Sequence, residues 1–132
     1  MENRYLYRAK RIDNGEWIVG SLLVDKQQDI ETGKQIEIIG IYPSEYKDFA
    51  KRIDPSTICQ CTGYDGIYEK DIFQCDDERY VIEWCDYSLG WEAQAIGSSE
   101  SISLGEFSPK EIDVIGNKID NPELLEVHND GE

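Results

Sequence analysis

Histidine is almost missing from this chain. The only one, His128, sits in the acidic tail, so no Ser/His/Asp or Cys/His set has a packed imidazole to orient it. Long apolar runs are missing too. No stretch approaches the roughly 20 residues of a membrane span. No apolar signal core follows Met1-Glu2-Asn3-Arg4-Tyr5. The expected location is therefore a cytoplasm, away from membranes. No phosphate-cradling loop is written either, because Thr32-Gly33-Lys34 lacks the glycine spacing of a P-loop. Basic residues are scarce: 13 Lys and Arg stand against 28 Asp and Glu, a net charge of −15.

That scarcity is uneven. Residues 1–60 carry a net −1 and residues 61–132 a net −14. A surface this negative repels phosphate backbones and anionic headgroups, which disfavours nucleic acid as a partner and favours a basic protein surface. Solubility alone is the plainer explanation of such acidity. The only basic-aromatic cluster is Arg4, Arg8, Lys10 and Arg11 with Tyr5 and Tyr7. On a strand, Arg8 and Lys10 would face away from the tyrosines. A nucleic-acid-binding or regulatory module using these cations is the alternative function.

Four cysteines, Cys59, Cys61, Cys75 and Cys85, include one tight pair but no second knuckle. Structural zinc sites usually have two knuckles, often with His. Buried free thiols are therefore favoured over a zinc site, and over a disulfide in a reducing compartment. A metal-dependent regulator or enzyme is the least favoured function. Asp76-Asp77-Glu78 lacks the periodicity of a calcium loop and reads as a solvated turn. No catalytic, cofactor-binding or metal residue is assigned, and no cofactor is expected.

What is present is a strand-rich pattern. Fourteen aromatics and 39% hydrophobic residues supply one domain's core over 132 residues. Tyr5 to Lys10 alternates as a first strand. Glu16 to Val24 is a second, with Trp17, Val19 and Leu23 on one face and Ile18, Leu22 and Val24 on the other. Ile36 to Tyr42 is a third, paired with the second across a polar loop. Pro43-Ser44 opens a helix over 44–54, with Tyr46, Phe49, Ala50 and Ile53 at helical spacing. Thr57 to Cys61 is another strand, and Ile67 to Gln74 a short apolar run. Tyr80 to Cys85 and Trp91 to Ile96 form a hairpin around Asp86-Tyr87-Ser88-Leu89-Gly90. Ser98 to Ser103 reads as a mobile loop, and Glu111 to Ile119 as a last strand. Asn121-Pro122 begins a short helical turn. One domain spans 1–127, followed by a disordered acidic tail over 128–132.

Three phrases stand together in order. The first is Tyr5-Leu6-Tyr7-Arg8-Ala9-Lys10, then Trp17-Ile18-Val19-Gly20-Ser21-Leu22. The second is Ile58-Cys59-Gln60-Cys61-Thr62-Gly63, then Gly66-Ile67-Tyr68-Glu69-Lys70-Asp71-Ile72. The third is Ile112-Asp113-Val114-Ile115-Gly116-Asn117, then Asn121-Pro122-Glu123-Leu124-Leu125. Across nearly the whole chain they resemble the YopX-like family of phage and prophage proteins. The resemblance implies a mainly β fold, a small Src-homology-3-like barrel of short antiparallel strands decorated by the 44–54 helix. It also implies a phage gene expressed in a bacterial host, and brings no catalytic activity with it. Members usually have a Gly where Lys70 stands, and often Gly and an aromatic at the Cys59 and Cys61 positions. If that Gly has positive φ, Lys70 must either distort the turn or accept strain.

The expected function is a phage-encoded, uncharacterised acidic interaction protein, not an enzyme, binding a host or phage protein through an acidic surface. The acids held on expected structure are Asp65, Asp76, Asp77, Glu78, Glu83, Asp86 and Glu92. Trp91 lies among them, either in the core or as an exposed anchor. Unpaired strand edges leave room for self-association without fixing a number of copies.

Overall fold

A computed structural model describes residues 5–43 and 49–126. The chain divides into two compact units, Met1–Gly63 and Tyr64–Glu132. The division falls inside the turn cluster Thr62 to Gly66.

The first unit is one antiparallel sheet. Its strands are β1 (Tyr7–Lys10), β2 (Trp17–Gln28), β3 (Gln35–Pro43), β4 (Lys51–Arg52) and β5 (Cys59–Gln60), in the order β4-β3-β2-β1-β5. The alternation in the sequence decides which face is buried. Ala9, Ile41 and Ile53 form the centre, with Tyr7, Ile18, Leu22 and Ile39 packed on it. Trp17, one residue out of phase, lies on the other face, where the Arg8 guanidinium sits 4.8 Å and the Lys10 ammonium 5.4 Å from its ring centroid. Gly40 lets β4 approach. A Cβ there would stand 2.8 Å from the Lys51 carbonyl oxygen.

The second unit is another antiparallel sheet: β6 (Asp71–Cys75), β7 (Glu78–Cys85), β8 (Gly90–Ala95), β9 (Ser101–Ser103) and β10 (Asp113–Asn117), ordered β10-β6-β7-β8-β9. Its core centres on three rings. Phe73 stacks on Tyr80 at 5.2 Å, and Phe107 meets both edge-on at 5.2 and 5.4 Å. Burying Phe73 completely contributes about 2–3 kcal/mol relative to leaving it in water. The Tyr64 hydroxyl donates to the Phe107 carbonyl at 3.0 Å, which ties the phenol's polar end. After β10 a 3-10 turn, Pro122–Leu125, folds back onto that strand. This is the expected terminal helical turn.

The mainly β class holds, while several details differ. Among the described residues there is no long helix, and neither strand order closes into a barrel. Of the helix expected over 44–54, positions 44–48 lie outside the described residues. Phe49 and Ala50 are irregular, Lys51–Arg52 is β4, and Ile53 bridges Arg11. Long-range pairing with β3 outweighs the helical spacing there. The Ser98–Ser103 loop is in part strand. Ser101, Ile102 and Ser103 pair with Gln94, Ala93 and Glu92, and Ile102 packs on the core. The β2–β3 hairpin also runs further than hydropathy indicates, through Gln28 and back from Gln35.

Candidate functional site

The backbone marks three unusual places. Among the described residues, Lys70 (φ 73°), Asp76 (φ 56°) and Leu89 (φ 56°) hold positive φ without being glycine. Lys70 does accept the left-handed conformation implied by the family's glycine. Its N–H donates to Ile82 at 2.8 Å, and its carbonyl accepts from Lys118 at 2.9 Å. These ladder bonds fix the backbone whatever the side chain. Asp76 opens the two-residue turn between β6 and β7, where a short polar residue tolerates such φ. Leu89 is different. It is apolar, strained and 74% exposed. A strained residue persists only where its surroundings over-determine it, and such residues cluster at functional sites.

Leu89 sits at the tip of the β7–β8 hairpin, between the paired Cys85 and Gly90. Tyr87, beside it, is 99% exposed, and Trp84 is 44% exposed. Trp84 pairs directly with Trp91 across the strands, ring against ring at 5.1 Å and 77°. These tryptophans share a face with Tyr80, Ile82, Ala93 and Ala95. The core face thus runs out to the tip as an aromatic surface. The indole N–H of Trp84 donates to Asp86 at 3.0 Å, which fixes the ring.

Carboxylates line the same hairpin. Glu83 and Glu92 stand directly opposite each other on the other face. Like charges so placed repel. The fold answers each. Lys118 pairs with Glu83 at 2.8 Å. Glu92 accepts from the Ser101 hydroxyl at 2.5 Å and the Ser88 hydroxyl at 2.9 Å. Those two hydroxyls, Ser101 first, hold the Glu92 carboxyl below the usual carboxylate range. Ser88, through its side chain and backbone, also draws the Cys85 thiol below its ordinary range. Burial pushes the Cys75 thiol up, with Asp76 and Glu111 adding to it.

The candidate surface residues do not form one cluster. Glu83, Asp86, Trp91 and Glu92 gather at the hairpin tip. Asp76, Asp77 and Glu78 lie at the opposite end of β7, about 23 Å away at the rise of an eight-residue strand. There Asp77 and Glu78 join Arg79 and Glu126 in lining an open depression of about 340 Å³. Asp65 is an exposed residue of the turn before the second unit's core. Trp84, Tyr87 and Leu89 were not among the candidate residues. Their signal was available: a Tyr and a Leu in a turn, where small polar residues are ordinary. None of the four cysteines forms a disulfide. Cys59 and Cys61 are buried, and Cys75 and Cys85 stand at opposite ends of the β6–β7–β8 meander. Among the described residues no three of His, Cys, Asp and Glu gather as a metal site. No helix among them is long and apolar enough to cross a membrane.

The family model for YopX protein matches residues 6–126. The chain belongs to the YopX family. The match takes in both units and nearly all of the described chain. No curated protein and no solved structure matches it. Within the matched residues, the segment after β6–β9 is closed by local contacts. In Val114-Ile115-Gly116-Asn117, β10 shifts register between Val114 and Gly116. The Asn117 side chain then accepts from the Ile119 and Asp120 N–H groups at 3.0 and 2.8 Å. The Asn121 side chain accepts from the Asn117 N–H at 3.2 Å. Leu124 closes over Gly116, where a Cβ would stand 2.6 Å from Asn121 Oδ1 and 2.9 Å from Leu124 Cδ1.

Proposed function

We propose that this YopX-family chain is a phage-encoded, non-enzymatic interaction protein of the bacterial cytoplasm. It docks a basic segment of a host or phage protein on the tip of the β7–β8 hairpin. The observation that carries this is Trp84, Tyr87 and Leu89, all exposed at one hairpin tip, with Asp86 bonded to the Trp84 indole and Glu83 and Glu92 on the opposite face. Exposed aromatic anchors with a polar rim are the ordinary composition of a binding hot spot. The surrounding −14 half of the chain supplies attraction for a cationic partner and speeds its encounter. The acids nearest the tip already have partners within the fold, so the apolar anchors give the contact and the charge gives selection. Capture from host lysate tests this. The wild type is expected to retain a basic protein at low salt, and Asp86→Lys to lose most of it. Equal capture by both would remove the proposal.

A nucleic-acid-binding module is the second reading, favoured by one observation. Arg8 and Lys10 lie beside Trp17, as cations and rings do in single-strand binders. Arg11 is bound to its neighbour Asp13 at 2.6 Å, which takes one cation out of that set. Titration with single- and double-stranded DNA and RNA at low salt separates the readings, since phosphate binding strengthens steeply as salt falls.

A further inference from the structure

The β2–β3 hairpin leaves its sheet. β1 pairs with β2 only at Trp17–Gly20, and β4 pairs with β3 only at Gly40–Ile41. Beyond those points β2 and β3 pair with each other alone, from Ser21 to Gln28 and back from Gln35 to Ile39. Among the described residues no other strand covers either outer edge of this arm. A two-stranded ribbon by itself is marginal in water. Its composition is not that of a solvated ribbon either. Val24 (54% exposed) lies on one face; Leu23 (42%) and Ile36 (44%) lie on the other. Apolar residues on both faces are the pattern of strands covered on both sides. Its open edge, with unpaired backbone groups, selects an extended strand as occupant.

We propose that the occupant is the β2 edge of a second copy, paired antiparallel about Val24. Charge and register both point there. The arm, residues 21–42, carries Lys26 and Lys34 against Asp25, Asp29, Glu31 and Glu37, a net −2 in a chain of −15. It is therefore a place where two such chains approach with little repulsion. Antiparallel pairing of identical strands about a two-fold axis matches residues of the same face. Centred on Val24, it sets Val24 against Val24, Leu23 against Asp25, Leu22 against Lys26 and Ser21 against Gln27. No like charges stand opposite. Centring one residue later sets Asp25 against Asp25, and two later sets Lys26 against Lys26. Both are disfavoured, and of Leu23 and Val24, the two centres that oppose no like charges, Val24 is the more exposed, 54% against 42%.

Sedimentation equilibrium of the full chain tests this. The wild type is expected at twice 15.2 kDa. Its association should tighten as salt rises, because screening relieves the repulsion between the two acidic halves. Val24→Lys sets two lysines opposite each other and is expected to be monomeric. Leu23→Lys sets lysine against Asp25 and is expected to remain dimeric. A monomeric wild type at all salts would overturn the proposal, and so would a dimeric Val24→Lys. Loss of the dimer in both variants would also overturn it, since that is the behaviour of an unspecific apolar patch. Circular dichroism reports whether each variant is folded. If Val24→Lys is not, the wild type and Leu23→Lys decide. The hairpin-tip function does not enter this test, because none of these substitutions touches the tip.

Discussion

A single side chain on the wrong side of φ costs stability that a glycine would recover. Lys70 sits at φ 73° with its backbone N–H and carbonyl both committed. The left-handed region costs a non-glycine residue about 1–2 kcal/mol, and glycine's extra freedom in the unfolded chain returns about 0.5–1 of it. Lys70→Gly is therefore expected to stabilise by about 0.5–1 kcal/mol, read as a raised midpoint of urea unfolding. A lowered midpoint would contradict it. Glu92 gives a pH signature. Its folded pKa lies below the model-peptide value of 4.5, because Ser101 and Ser88 donate to it. The carboxylate's hydrogen bonds thus stabilise the fold above that pH and are lost as pH falls through the folded value. A Ser88→Ala, Ser101→Ala double variant should be less stable than wild type at neutral pH and converge with it in acid. NMR titration of the Glu92 carboxyl should show its pKa rising towards 4.5 in the variant. At this scale the sequence is half legible. The strain at Lys70 could be expected from the glycine its family carries. Leu89 could not, since nothing in a leucine announces positive φ.

Elements were legible where two strands alternate across a short turn. The β7–β8 hairpin and the face assignment of Trp17 against Ile18 follow from period two alone. What failed was decided by distant chain. Phe49, Ala50 and Ile53 match helical spacing, yet Lys51–Arg52 and Ile53 are held by β3 and Arg11. Ser101–Ser103 is polar in composition, yet β8 offers it a ladder and the core takes Ile102. Glycine marks two close approaches, one at β4 and one at the turn after β10. Gly116→Ala would push a Cβ into Asn121 and Leu124, lifting the terminal turn from β10 at a cost of about 1–3 kcal/mol. Gly40→Ala would press a Cβ onto the Lys51 carbonyl, a backbone atom with less room to yield. Thermal unfolding should show both variants less stable. Hydrogen exchange should place the Gly40→Ala loss at β4 and the Gly116→Ala loss at residues 117–125. Loss spread evenly over the chain would contradict these assignments.

Across the whole molecule, charge and structure divide at the same place. The near-neutral residues 1–63 form one compact unit, and the acidic residues 64–132 the other. Composition showed the imbalance but not its use. The acids at the tip are spent on Lys118, Ser88, Ser101 and the Trp84 indole. The surface left for a partner is aromatic, edged by charge rather than made of it. Salt should therefore act in opposite directions on the two interactions. Screening weakens capture of a basic partner at the hairpin tip, and strengthens pairing of the β2 edges. The most direct measurement keeps the net charge at −15 and removes only the anchors. Trp84→Ser with Leu89→Ser, folded by circular dichroism, is compared with wild type for capture of a basic protein from host lysate. Loss of that protein is the result predicted here. Undiminished capture would show that the acidity alone binds, and would contradict a docking site at the hairpin tip.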